Sequence, residues 1–217
     1  MELTDVIRTT NACRYYKPDA VPDELLLKVL DAARWAPTGS NKQPITFLAV
    51  RDAAKRRALH DLYQPLWDAI LPRYESGEAK AGFKPGFLKH VDHFARHLAE
   101  VPVMVVVCAD MTQVTALDAN LGRLPLTGGS SIYPAVQNLL LAARDVGLGT
   151  TLTTILALAE KDVQALLGMP SHVAVAAMIT LGWPAKPFPA RLHRKPLSEF
   201  AFLDSYGQAL PGAERMD

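Results

Sequence analysis

From Pro22 onward, Leu25, Val29, Leu30 and Ala33 recur with helical spacing while Asp23, Glu24, Lys28, Asp31 and Arg34 fall mostly on the other side, which predicts an amphipathic helix. Pro37 ends it, and Pro44 opens a run of strand formers, Ile45–Val50. Helical spacing returns over 53–71, after Asp52, and over 133–146, where Gly147 provides the stop; shorter helices are predicted at 3–10 and at 157–167, before Gly168 and Pro170. Residues 102–109 and 173–181 are almost unbroken apolar runs rich in β-branched side chains, as strands covered on both faces must be. The Thr-rich run 150–155 reads as an edge strand. This order predicts an α+β fold with a central mixed or antiparallel sheet flanked by helices.

At 217 residues the chain fits one domain, 1–217, large enough to bury about 70% of the surface its unfolded form exposes. Lys and Arg number 23 against 22 Asp and Glu, and the interspersed signs give no nucleic-acid footprint and no basic membrane face. The longest apolar runs fall well short of the roughly 20 residues of a membrane-spanning helix. Cys13 and Cys108 are the only cysteines, and with no charged-then-apolar leader the expectation is a reducing, cytoplasmic compartment and a small-molecule partner.

Several chemistries lose support from spacing alone. His90, His93 and His97 would share a helix face but lack the Cys or carboxylate companions of a zinc site, so exposed helix histidines and no metal are expected. Gly128-Gly129-Ser130-Ser131 lacks the lysine of a phosphate-binding loop and reads as close helix packing. Cys108 reads as core, and Cys13 has no nucleophile signature beside it. No Ser/His/Asp, Cys/His or paired-carboxylate pattern stands out, so no side chain is assigned a catalytic role. What remains is the polar turn Thr38-Gly39-Ser40-Asn41, whose backbone amides and short oxygens suit the edge of a flat polar ring.

Residues 32–44, Ala-Ala-Arg-Trp-Ala-Pro-Thr-Gly-Ser-Asn-Lys-Gln-Pro, resemble the central motif of the FMN-dependent nitroreductases, Ala-Arg-x-Ala-Pro-Ser-Gly-x-Asn-x-Gln-Pro. Three weaker motifs of that family follow the same order here. These are an N-terminal Arg-Arg-Ser-x-Arg segment, represented by Thr10-Asn11-Ala12-Cys13-Arg14, a long helix ending in Gly147-Leu148-Gly149, and a closing basic stretch, Arg194-Lys195-Pro196-Leu197-Ser198-Glu199. The resemblance spans roughly residues 3–204.

The resemblance implies a nitroreductase-like fold, an intertwined homodimer, FMN as cofactor and NAD(P)H as co-substrate. It also implies ping-pong reduction of nitroaromatics, quinones or related electron-poor acceptors, with the chemistry carried by the flavin. Carried over position by position, Asn11, Ala12 and Arg14 would meet the phosphate and ribityl chain, and Pro37, Thr38, Gly39 and Asn41 the ring. Leu152, Thr153 and Thr154 would lie along the ring face and its N5 edge, and Arg194 and Lys195 would hold the phosphate. Thr10, Asn11 and Ala12 depart from Arg-Arg-Ser, which shifts the phosphate grip toward the C-terminal cations. Residues 72–89 would form a lid, in which Lys80, Lys84 and Lys89 favour NADPH, and 188–217 would be an extended arm wrapping the partner. Ala135, Leu139, Ala142 and Ala143 would line a dimer-core helix, and Trp35, Trp67, Tyr74, Phe83 and Tyr133 are candidate pocket walls. The alternatives are a flavin-sequestering protein with little turnover, or a relative specialised for enone reduction or dehalogenation.

Overall fold

The computed structural model of the chain describes residues 1–78 and 86–215. Four strands, β1 (Ile45–Val50), β2 (Val103–Asp110), β3 (Gly149–Thr153) and β4 (Val173–Gly182), form one sheet in the order β1-β2-β4-β3, every pair antiparallel. Helices α1 (Leu3–Thr9), α2 (Asp23–Arg34) and α5 (Tyr133–Asp145) accompany α3 (Ala53–Glu75), α4 (Leu88–Arg96) and α6 (Glu160–Leu167). None of the described helices is long and apolar enough to cross a membrane.

The central strand β2 explains the two helical layers. Its side chains alternate between faces, so Val103, Val105, Val107 and Ala109 join α2 and α5 in one core, while Met104, Val106 and Cys108 join α3, α4 and α6 in the other. That double burial is why the strand reads as a continuous apolar run. In β4 the phase changes: Val175 points to the second core, but Ala177, Ile179 and Leu181 point to the first. The register explains it, because Val107 faces Ala177 while the next residue, Cys108, faces Val175, leaving Ala176 as an extra residue. A one-residue bulge moves the following side chains to the opposite face. Burial pushes the Cys108 thiol up to about 11, which leaves it protonated core.

Three boundaries differ from the sequence expectation. The helix expected to end at 71 continues through Pro65 and Pro72 to Glu75. Leu59, Tyr63 and Trp67, four residues apart, lock it into the second core, and the Ser76 amide still donates to the Pro72 carbonyl at 2.9 Å. A proline forfeits its own amide bond, and anchoring on both sides outweighs that loss. The lid region is therefore partly helix: α3 runs to Glu75 and α4 begins at Leu88, while Lys80, Phe83 and Lys84 lie outside the described residues. The Thr-rich run leaves the sheet after Thr153; Ile155–Ala159 is a 3-10 turn, and α6 starts at Glu160 rather than 157.

The stretch from 188 is not simply extended, because Leu197–Glu199 and Ala213–Arg215 form 3-10 turns and Phe202 bridges to Ala209. Within the chain, Ala135, Leu139 and Ala143 of α5 are buried in the first core against α2 and the sheet, so that face is already occupied.

Gly149 and Gly182 stand opposite each other where β3 pairs with β4. A Cβ on Gly149 would lie 2.7 Å from both Cβ and Sγ of Cys13, and one on Gly182 would lie 2.9 Å from the Pro102 ring and 3.0 Å from Tyr16. Gly149→Ala is expected to destabilise the fold by about 1–3 kcal/mol, because the N-terminal segment packed there must shift; urea unfolding followed by circular dichroism measures this.

Candidate functional site

The N-terminal segment reaches the sheet through backbone bonds. Ala12 forms a parallel bridge with Thr150, the Cys13 amide donates to the Thr150 carbonyl at 2.8 Å, and the Thr151 hydroxyl donates to the Cys13 carbonyl. On the other side, the Lys17 amide donates to Trp183 and the Ala185 amide to Tyr15, at 2.8 and 2.9 Å. The hydroxyls of Tyr16 and Thr180 are 2.7 Å apart. Residues 11–15 are thereby held facing the Pro-rich stretch 184–189, and together with Phe87 and His90 the two enclose a cavity of about 300 Å³.

Among the described residues no Asp or Glu lines this cavity, yet Arg14, Lys186 and His90 do. The Arg14 guanidinium lies 4.6 Å over the Phe87 ring and donates to the Ala12 carbonyl at 3.3 Å; no carboxylate among the described residues pairs with it. Burial lowers its pKa from the ordinary value, but a guanidinium stays charged in proteins. A half-buried cation without a counter-ion favours an anion beside it. Cys13 also borders the cavity, but burial raises its pKa, which opposes formation of a nucleophilic thiolate.

The polar turn is built separately. Ser40, Asn41 and Gln43 all adopt left-handed backbone, with φ of 52°, 54° and 51°. Three non-glycine residues in that region within four positions carry strain that must be held in place. The Gln43 amide donates to the Thr38 hydroxyl and the Gly39 amide to the Ser131 hydroxyl, both at 3.0 Å. Ser131 is positioned in turn by a loop that the buried Asp118 carboxylate organises, accepting from Arg123, the amides of Leu126 and Thr127, and the Thr127 hydroxyl. Those donors, the Thr127 hydroxyl first, hold Asp118 far below the ordinary carboxylate range.

Of the residues singled out from sequence, Asn11, Ala12 and Arg14 line the cavity together. Pro37, Thr38, Gly39 and Asn41 lie in the turn, whose hydrogen bonds run to Ser131 and within itself rather than to the cavity. Leu152 is exposed at the end of β3, the Thr153 hydroxyl lies 3.3 Å from that of Tyr63, and Thr154 is exposed just past the strand. Arg194 and Lys195 are exposed and do not line the cavity; the Leu192 amide ties their segment to the Arg8 carbonyl at 2.8 Å.

Trp67 is core rather than a pocket wall: it is buried and its indole donates to Asp92 at 2.9 Å. The histidines are not free-standing surface groups either. The Tyr15 hydroxyl meets His90 Nδ1 at 2.6 Å, His93 stacks on Tyr15 at 4.5 Å, and His97 stacks on His93 at 4.0 Å. The described residues contain no group of three or more side chains suited to a metal. Tyr15, His90 and Lys186 are among the cavity residues that sequence reasoning gave no role in the site; the one signal for Lys186 was its place in a basic, Pro-rich stretch.

Comparison with known proteins gives this arrangement a context. The sequence profile of the nitroreductase family matches residues 7–183. The chain belongs to the nitroreductase family. It is 31% identical over 212 residues to an NADH dehydrogenase of Thermus thermophilus, covering 85% of this chain and 87% of the relative. It is 29% identical over 182 residues to a 5,6-dimethylbenzimidazole synthase of Rhodospirillum rubrum, covering 81% and 79%. Among solved structures, a nitroreductase with bound FMN from Desulfitobacterium hafniense superposes with a TM-score of 0.67 at 20% identity, over 89% of this chain and 95% of that one. The fold is the family's fold.

Ser131→Ala removes the partner of the Gly39 amide, so the turn should open more readily, by about 0.5–1.5 kcal/mol. Faster amide hydrogen exchange confined to residues 38–43 is the expected readout.

Proposed function

We propose that this protein is an FMN-dependent oxidoreductase that uses NAD(P)H to reduce nitroaromatics, quinones or related electron-poor acceptors. The observation that carries the reading is Arg14. It is a half-buried guanidinium that, among the described residues, has no carboxylate partner and shares its cavity with no acidic side chain, at the position where the family carries a phosphate-binding cation. The names of the relatives, an NADH dehydrogenase among them, support the same reading.

The residues present fit the cofactor. Arg14 supplies a planar fork to a terminal phosphate, and Arg194 and Lys195, on the segment tied to Arg8, supply the remaining charge. Thr10 does not replace the arginine the family often has, because its hydroxyl donates to the Val6 carbonyl at 2.7 Å and is used at the end of α1. FMN, when bound, supplies hydride acceptance and donation. The chain supplies position: hydroxyls of Thr153 and Thr154 near the ring edge, the amides of the 38–41 turn, and walls of Pro and aromatic side chains that keep water from the stacking face.

The turn and the cavity do not meet within one chain, and this supports a homodimer in which the turn of one copy completes the cavity of the other. Trp35, beside the turn, is 72% exposed, and in the C-terminal arm Phe200 and Tyr206 are 79% and 98% exposed. A second copy would cover such apolar surface.

Purified protein is expected to carry FMN, to bleach on anaerobic mixing with NADPH, and to recover its absorbance when a nitroaromatic or quinone is added; stopped-flow spectroscopy measures both halves. Retained flavin that neither nicotinamide reduces would instead favour sequestration. Arg14→Ala should weaken FMN binding by about 1.5–3 kcal/mol, roughly 10- to 150-fold, by fluorescence titration. Light scattering should give twice the 23.7 kDa chain mass, and a monomer that retains full FMN would contradict the shared site.

A further inference from the structure

The cavity is lined by a second side-chain cation besides Arg14, namely Lys186. In the oxidoreductase reading Arg14 and the Arg194–Lys195 pair serve the terminal phosphate, so Lys186 is left without a role, and among the described residues no acidic side chain lines the cavity. Lys186 also differs from an ordinary surface lysine. Its ammonium sits 3.6 Å over the centre of the Tyr15 ring. That ring is fixed on its other sides by the hydroxyl contact to His90 at 2.6 Å and by stacking on His93 at 4.5 Å, and its backbone is tied to Ala185, the residue before Lys186. A cation held over an immobilised aromatic face loses less side-chain freedom on meeting an anion than a free lysine does. Among the described residues it has no carboxylate partner.

We propose that Lys186, held over Tyr15, receives an anionic substituent of the molecule that shares the cavity with FMN, so that the site selects acidic ligands over neutral ones. The proposal rests on the oxidoreductase reading for the presence of FMN. The anionic group has two chemical sources: a carboxylate on the aromatic acceptor, or a phosphate of the nicotinamide donor. Lys186 lies at the cavity rim, exposed enough for salt to weaken its attraction, so the effect is a preference rather than an absolute requirement.

The test is calorimetric titration of the oxidised, FMN-loaded protein, which reads binding without turnover. The acceptor pair is 4-nitrobenzoate and the neutral 4-nitrobenzyl alcohol, and the donor-side ligands are NAD⁺ and NADP⁺. Lys186→Gln should weaken one anionic set by about threefold to tenfold while changing the neutral alcohol by less than about twofold. Lys186→Arg should restore most of the loss, and added salt should narrow the gap between wild type and Lys186→Gln. Loss confined to 4-nitrobenzoate assigns the acceptor carboxylate; loss confined to NAD⁺ and NADP⁺ assigns the donor phosphates. Equal effects on charged and neutral ligands, no effect on either anionic set, or weakened FMN binding in place of these losses would overturn the proposal. Flavin bleaching by NADPH is measured on the wild type alone, so failure of the oxidoreductase reading is seen independently.

Discussion

The site depends on one steric constraint, the approach of residues 12–16 to the edge of the sheet. Gly149 and Gly182 face each other across β3 and β4, and the absence of two side chains leaves room for Cys13 and Tyr16 to lie against the strands. Backbone bonds from Thr150, Trp183 and Ala185 then fix the segment residue by residue. Arg14 and Tyr15 project into the cavity because their neighbours are held in this way. A side chain at either glycine would move the cation, the aromatic ring and the cavity wall together.

Electrostatics makes the cavity directional. Arg14 rests on Phe87 and Lys186 on Tyr15, so among the described residues both cations meet ring faces and not carboxylates. An aromatic face is a weaker partner than an anion, which leaves both charges available to a ligand. Arg96, by contrast, is paired with Asp92 and Asp68 on the surface of α4. The difference separates a cation paired within the fold from two that, among the described residues, have no carboxylate partner.

A second element, the 38–43 turn, is strained and polar but stands apart from the cavity. Its left-handed residues persist because Ser131 and Thr38 hold the backbone, and Ser131 depends in turn on the Asp118-centred loop. Two preorganised halves, one cationic and one rich in backbone donors, suit assembly from two chains. On the proposed function, a chain with no recognisable acid–base pair would serve a redox site by placement, with the chemistry supplied by the cofactor.

The amino-acid sequence by itself determined the strands, the helices and the α+β class, because each strand's apolar run and each helix's apolar stripe is local information. It also determined the family, through an ordered set of short motifs, and it singled out Arg14, which the structure places at the cavity. It misplaced the end of α3, because the proline rule is local whereas the anchoring of Tyr63 and Trp67 in the second core is not. It left Tyr15, His90 and Lys186 unassigned, because they lie 75 and 96 positions apart along the chain and meet only when residues 11–17 are threaded between β3 and residues 183–185. Which of the scattered cations would share a cavity was decided by the tertiary structure alone, since charge proximity depends on distance in space, and that distance was set by two glycines at the sheet edge.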